Sequence, residues 1–96
     1  MPNFRIRNAQ PDDVPEIFAT VCELAEYEQA RHEVQSSEAM FADALFCDEP
    51  AVWCSILEHR ASDGWAVAGM AVWFVNFHTW TAQHSIWLDD LYVREH

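Results

Sequence analysis

Trp65-Ala66-Val67-Ala68-Gly69-Met70-Ala71-Val72-Trp73-Phe74-Val75 is the stretch that decides how this chain folds. It is apolar throughout, so its length alone fits either a buried helix or a buried strand. The branched and aromatic residues Val67, Val72, Trp73, Phe74 and Val75, interrupted by Gly69, favour a strand. The lack of polar/apolar alternation predicts a central strand that is apolar on both faces. Just before it, Ser62-Asp63-Gly64 carries turn chemistry, and Ala51 to Leu57 reads as the preceding strand. Just after it, a polar connection from His78 to His84 leads into a last strand, Ile86 to Val93.

The first half of the chain changes period. Phe4 and Ile6 alternate with Arg5 and Arg7, a short half-buried strand. Pro11, Asp12 and Asp13 then form a helix-start signal, although Gln10 is a poor cap. Val14, Ile17, Phe18, Val21, Leu24 and Ala25 recur at helical spacing, so a first helix is expected from about Asp12 to Glu28. Ser37 caps a second helix with Glu38 in its first turn, and Asp48-Glu49-Pro50 ends it. The element order β-α-α-β-β-β predicts an α/β (α+β) domain with a mostly antiparallel sheet and two helices packed on it. Residues 1–96 form one domain, too short for two.

Composition narrows the function. The chain is 51% hydrophobic and 14% aromatic, which argues for a packed core. Its net charge is -11, with only 5 basic residues, all arginines. That excludes nucleic acid as a partner, because phosphates need cations, and it suits a cationic ligand. Solvation of helix faces by acids explains the same charge. No apolar run reaches membrane-spanning length, and the N-terminus has no signal-peptide pattern. Cys22, Cys47 and Cys54 are unpaired in spacing and lie in apolar contexts. They read as small core residues of a cytoplasmic protein. The five histidines show no ligand spacing for a metal. With Gly64 and Gly69 the only glycines, no phosphate-binding glycine motif exists.

Three features invite a functional reading. Glu28 closes the first helix at the negative end of its dipole, which is comfortable only beside a cation or a donor, or fully solvated. Asp89-Asp90 interrupts an otherwise apolar strand, where acids are depleted. In a regular strand the two side chains would face opposite ways, and a β-bulge would re-aim one of them. The alternative is an edge strand protected by inward charges. Trp80, in the connection after His78-Thr79, forms either an aromatic wall for an amine or a lid over the core.

The segments Phe4-Arg5-Ile6-Arg7, Leu24-Ala25-Glu26-Tyr27-Glu28, Asn76-Phe77-His78-Thr79-Trp80 and Leu88-Asp89-Asp90-Leu91-Tyr92-Val93-Arg94 come in an order and spacing that resembles the GNAT superfamily. The branch they resemble is that of the diamine (spermidine/spermine-type) acetyltransferases. The resemblance covers the whole chain but about half of the usual family length. It implies that Glu28, Trp80, Asp89 and Asp90 bind a small amine or polyamine. It also implies that the main chain of Leu91, Tyr92 and Val93 holds the acetyl and pantetheine part of acetyl-CoA. The chain ends at Arg94-Glu95-His96, where the family's pyrophosphate loop would begin, and the tyrosine that protonates the thiolate would lie later still. No residue here is therefore expected to be catalytic by itself.

The expected function is an acetyl-CoA-dependent N-acetyltransferase acting on a small cationic amine, inactive as the isolated chain. The rivals are a non-catalytic amine binder and an oligomerising or protein-interaction module. A homodimer is expected, because two helices cover one face of a sheet whose central strand is apolar on both.

Overall fold

The structure, a computed structural model, describes residues 3–94. Strand β1 (Phe4–Asn8) leads through a 3-10 turn (Pro11–Asp13) into helix α1 (Val14–Tyr27). A second 3-10 turn (Arg31–Glu33) precedes helix α2 (Glu38–Phe46). Strands β2 (Trp53–Ala61), β3 (Gly64–His78) and β4 (Gln83–Val93) follow. The four strands form one antiparallel sheet in sequence order, β1-β2-β3-β4. The α+β class and the element order are those expected from the sequence. The strands are longer than expected, and the connection after β3 shrinks to the turn 79–82. Strand ends carry polar residues there, and cross-strand pairing continues where apolar pattern does not. No helix among the described residues is long and apolar enough to cross a membrane.

Ser37 does cap α2, its hydroxyl accepting the Met40 N–H at 3.3 Å. At the start of α1, Asp13 compensates for the poor cap by accepting the Gln10 N–H at 2.7 Å. Both helices lie on one face of the sheet. There Ile17 of α1 and Leu45 of α2 meet Cys54 and Ile56 of β2 and Met70 and Val72 of β3. Burial in this cluster pushes the Cys54 thiol up to about 11, so it behaves as a small apolar residue. Cys22 is half-buried, whereas Cys47, expected in the core, is exposed because α2 ends just before it.

The sheet departs from the usual one-sided pattern. Across the strands, the row Ile6–Leu57–Gly69–Val93 and the row Asn8–Ser55–Ala71–Leu91 point away from the helices. Arg5, Arg7, Glu58, Arg60 and Asp90 all fall on the helix side. There Arg7 donates to both oxygens of Asp13 at 2.7 and 2.8 Å and to Glu58 at 3.2 Å, while Arg5 donates to Glu58 at 2.7 Å. Arg5 and Arg60 also lie over the Trp65 ring, 4.2 and 4.9 Å from its centroid. β3 was expected to be apolar on both faces, and it is. Among the described residues only one of those faces is covered.

Gly69 is needed where it stands. A Cβ there would overlap the Tyr92 carbonyl oxygen on β4, and a main-chain oxygen cannot move aside without breaking the β3–β4 ladder. Gly69→Ala is expected to destabilise the fold by about 2 kcal/mol or more, through strain at this contact. Urea unfolding monitored by circular dichroism measures it. An unchanged midpoint would show that β3 and β4 approach less closely than this.

Candidate amine and acyl-donor site

Helix α1 ends in a way that fixes Glu28. Gln29 adopts a left-handed conformation (φ 59). The Ala30 N–H then bonds the Ala25 carbonyl at 2.7 Å, and the Gln29 N–H bonds the Glu26 carbonyl at 3.0 Å. This paired closure holds the chain reversal and leaves Glu28 exposed at the last carbonyls of the helix. There is no basic residue in the last turn to offset it.

The acids of β4 are re-aimed by an irregularity in pairing. Val72 faces Asp90 and Trp73 faces Leu88, so Asp89 is an extra residue with no partner position on β3. This is a β-bulge, and it turns both carboxylates toward the helix side instead of opposite ways. The two are close enough to share a hydrogen bond. Asp90 is half-buried, and its carboxyl is held above the ordinary carboxylate value. Burial is the largest cause, followed by the charges of Asp89 and of Glu28. Three carboxylates from two elements thus converge with no cation beside Asp90 in that balance.

Next to them, α1 and β4 enclose a groove of about 660 Å³ lined by Glu23, Leu24, Tyr27, Leu91, Tyr92, Val93 and Arg94. β4 is the edge of the described sheet, so the main chain of Leu91 to Val93 borders the groove. Arg94 sets its width. Its side chain donates to Glu23 at 3.0 and 2.8 Å and to Glu16 at 2.9 Å, tying the end of β4 to α1. Its main-chain N–H bonds the Ala68 carbonyl at 2.7 Å.

Trp80 lies elsewhere. It sits in the tight turn between β3 and β4 and is 99% exposed. Asp89 lies six residue steps along the strand from Gln83, so the turn lies about 20 Å from the acids at roughly 3.3 Å per residue. Within one chain it neither lids the core nor walls the carboxylates. Sequence reasoning missed Tyr27, Glu23 and Arg94 as groove residues. The spacing of Glu16 and Glu23, two helical turns apart on one face, was the available signal for a shared cation. No group of three or more His, Cys, Asp or Glu is arranged to hold a metal among the described residues.

Two helices on one face of an antiparallel four-stranded sheet, with a bulged last strand bordering a groove, are consistent with a partial GNAT fold. Comparison with solved structures agrees. A possible acetyltransferase from Clostridium difficile 630 superposes with a TM-score of 0.67 at 19% identity, over 96% of this chain and 58% of that one. An integron cassette protein from the mobile metagenome of V. cholerae superposes with a TM-score of 0.62 at 18% identity, over 98% and 57%.

Sequence comparison carries the assignment further. Thialysine N-epsilon-acetyltransferase of Mus musculus is 35% identical over 98 residues, spanning 97% of this chain and 56% of that protein. The Sus scrofa protein of the same name is 32% identical over 99 residues, spanning 98% and 57%. No protein-family model matches the chain. The chain spans about half the length of the curated relatives it matches.

Proposed function

We propose that this chain is the amine-recognising half of an acetyl-CoA-dependent N-acetyltransferase whose substrate is a small molecule ending in a primary amine, of the thialysine or diamine type. The convergence of Glu28, Asp89 and Asp90 carries the reading. Like charges this close raise the free energy of the folded state unless a cation joins them, and a protonated amine supplies that cation. The relatives' name points to the same class of substrate.

The chemistry follows from the residues. A primary amine has a pKa near 10.4, so it arrives protonated and cannot attack a thioester until it loses a proton. Asp89 and Glu28 orient the ammonium. Asp90, whose carboxyl is held above its ordinary value first by burial, takes the proton at a carboxylate oxygen and passes it to solvent. The groove suits the acyl and pantetheine arm of acetyl-CoA, because it is of ligand size and bordered by strand main chain. Acetyl-CoA, when bound, supplies the acyl group there. The pyrophosphate does not fit these residues. Arg94, the cation of the groove, is committed to Glu16 and Glu23, and neither glycine lies in a phosphate-cradling loop. A polypeptide of residues 1–96 is therefore expected to bind amine without transferring acetyl groups. Its three free cysteines suit a reducing, cytoplasmic compartment.

Calorimetric titration with thialysine or spermidine tests the reading. Binding in the millimolar range or tighter is expected, and it should weaken as added salt shortens the Debye length below about 10 Å. Heat that is absent at millimolar amine, or indifferent to salt, would make the three acids a solvated surface and nothing more.

A further inference from the structure

The chain holds 5 basic residues, all arginines, against 16 acids, and most of those arginines are engaged. Arg5, Arg7 and Arg94 are ion-paired to carboxylates at 2.7 to 3.2 Å. Arg60 lies over the Trp65 ring, 4.9 Å from its centroid. Arg31 is different. It is exposed, and among the described residues its side chain makes no hydrogen bond, ion pair or ring contact. Acids are at hand, since Glu28 stands three residues before it and Glu33 two after.

The backbone brings Arg31 to the acid site. After Glu28 the left-handed Gln29 reverses the chain, the Ala30 N–H returns to the Ala25 carbonyl at 2.7 Å, and Arg31 opens the 3-10 turn. Three trans peptide links join Glu28 to Arg31, so their Cα atoms are at most about 11 Å apart. Glu28 and Asp89 act on the Asp90 carboxyl, and no arginine is among the charges that do. Arg31 is thus a neighbour of the three acids that does not neutralise them.

We propose that Arg31 binds the carboxylate of an amino-acid substrate whose terminal ammonium is held at Glu28, Asp89 and Asp90. The inference rests on the amine-site reading above and narrows it, from any small primary amine to a basic amino acid. In thialysine six bonds join the terminal nitrogen to the carboxylate carbon, a span of roughly 7 Å at about 1.5 Å or slightly more per bond. That span suits two anchors of opposite sign set one chain reversal apart. The planar guanidinium offers a carboxylate two parallel N–H donors. A diamine has no carboxylate to place there, and its second ammonium meets a like charge, which discriminates against it.

Calorimetric titration is the test, with thialysine and the diamine left by its decarboxylation as probes. With a net charge of -11 on the chain, long-range attraction alone favours the diamine, which carries one more net positive charge. The unsubstituted chain is nevertheless expected to bind thialysine at least about tenfold more tightly. Arg31→Gln should abolish or reverse that order, weakening thialysine about tenfold or more and leaving the diamine unchanged or tighter. Arg31→Lys keeps the charge without the fork and should fall between. Arg60→Gln removes the same charge from β2 and should keep the original order. Arg31 is exposed, so its variants should retain the native far-ultraviolet circular dichroism spectrum. Equal or tighter binding of the diamine by the unsubstituted chain overturns the proposal without recourse to any variant. So does an Arg31→Gln effect that is the same for both probes. In either case salt-sensitive binding of the diamine leaves the amine site standing, and only the role of Arg31 falls. Binding of neither probe sinks both readings.

Discussion

Replacing Arg7 with leucine is expected to destabilise the fold by about 3 kcal/mol, the low end for breaking a buried ion pair from one side. A domain of this size has roughly 5–10 kcal/mol in total, so most of its margin goes. The cause lies in what remains. Asp13 and Glu58 are nearly sequestered, with side chains 12% and 8% exposed, and Arg7 holds both. Hydrogen bonding to Arg7 is the largest reason that each carboxyl titrates below its ordinary value, and it outweighs burial, which pushes the other way. Without Arg7, the side-chain partners left among the described residues are the Gln10 N–H for Asp13 and Arg5 for Glu58. Arg7→Lys keeps the charge but not the two-pronged contact with Asp13, so its loss should be smaller. The pH dependence has a definite sign. Both folded-state values are lowered, so the stabilisation is fully present above the ordinary carboxylate range near pH 4. It is lost as pH falls through the lowered values. Urea midpoints at pH 7 and pH 3 should differ clearly for the unsubstituted chain and little for Arg7→Leu. Equal pH dependence in the two would show that the network carries no stability.

Asp90→Asn should do two opposite things. Amine affinity is expected to fall at least about tenfold, because a charge-assisted contact to the ammonium is removed. Stability at pH 7 is expected to rise, by about 0.5–1 kcal/mol for a partly exposed group. Asp90 titrates above its ordinary value because burial, Asp89 and Glu28 all oppose its charge. Its ionised form is therefore a cost to the folded state, present above the raised value and relieved as pH falls through it. The stability gain of the asparagine should vanish in mild acid, where the natural aspartate protonates itself. A site that is more stable when its function is removed is the signature of strain held for binding. Calorimetry and thermal unfolding on the same samples check both halves. A loss of stability at pH 7 would mean that Asp90 has a cation partner within the chain.

The elements of this fold are legible in the sequence. The 3.6-residue period from Val14 to Ala25, the Ser37 cap, the turn at Ser62-Asp63 and the apolar run of β3 fix them, because each is a local preference written into neighbouring residues. The placement of Asp89-Asp90 in an apolar strand leaves a bulge and a charge-protected edge both open, and the pairing register with β3 is what shows the bulge. The resemblance to diamine acetyltransferases is carried by short segments of sequence, and the relatives support the acetyltransferase family.

Other features are decided only by tertiary structure. Nothing near Asp13 in the sequence announces that it serves Arg7 and not merely the helix start, because the pairing partner lies across a chain reversal. Arg94 meets Glu16 and Glu23 only because α1 packs beside the end of β4. Trp80 suits a lid and an amine wall equally well on sequence grounds. The length of the β3–β4 hairpin carries it away from both. Register also decides which face each strand residue occupies, and hence that the acidic and arginine side chains of the strands gather on the helix side while the opposite face carries none. Local sequence sets periodicity, which needs only a residue's neighbours. Which residues meet across the sheet depends on register and on bulges, and those are settled by the free energy of the whole packed sheet.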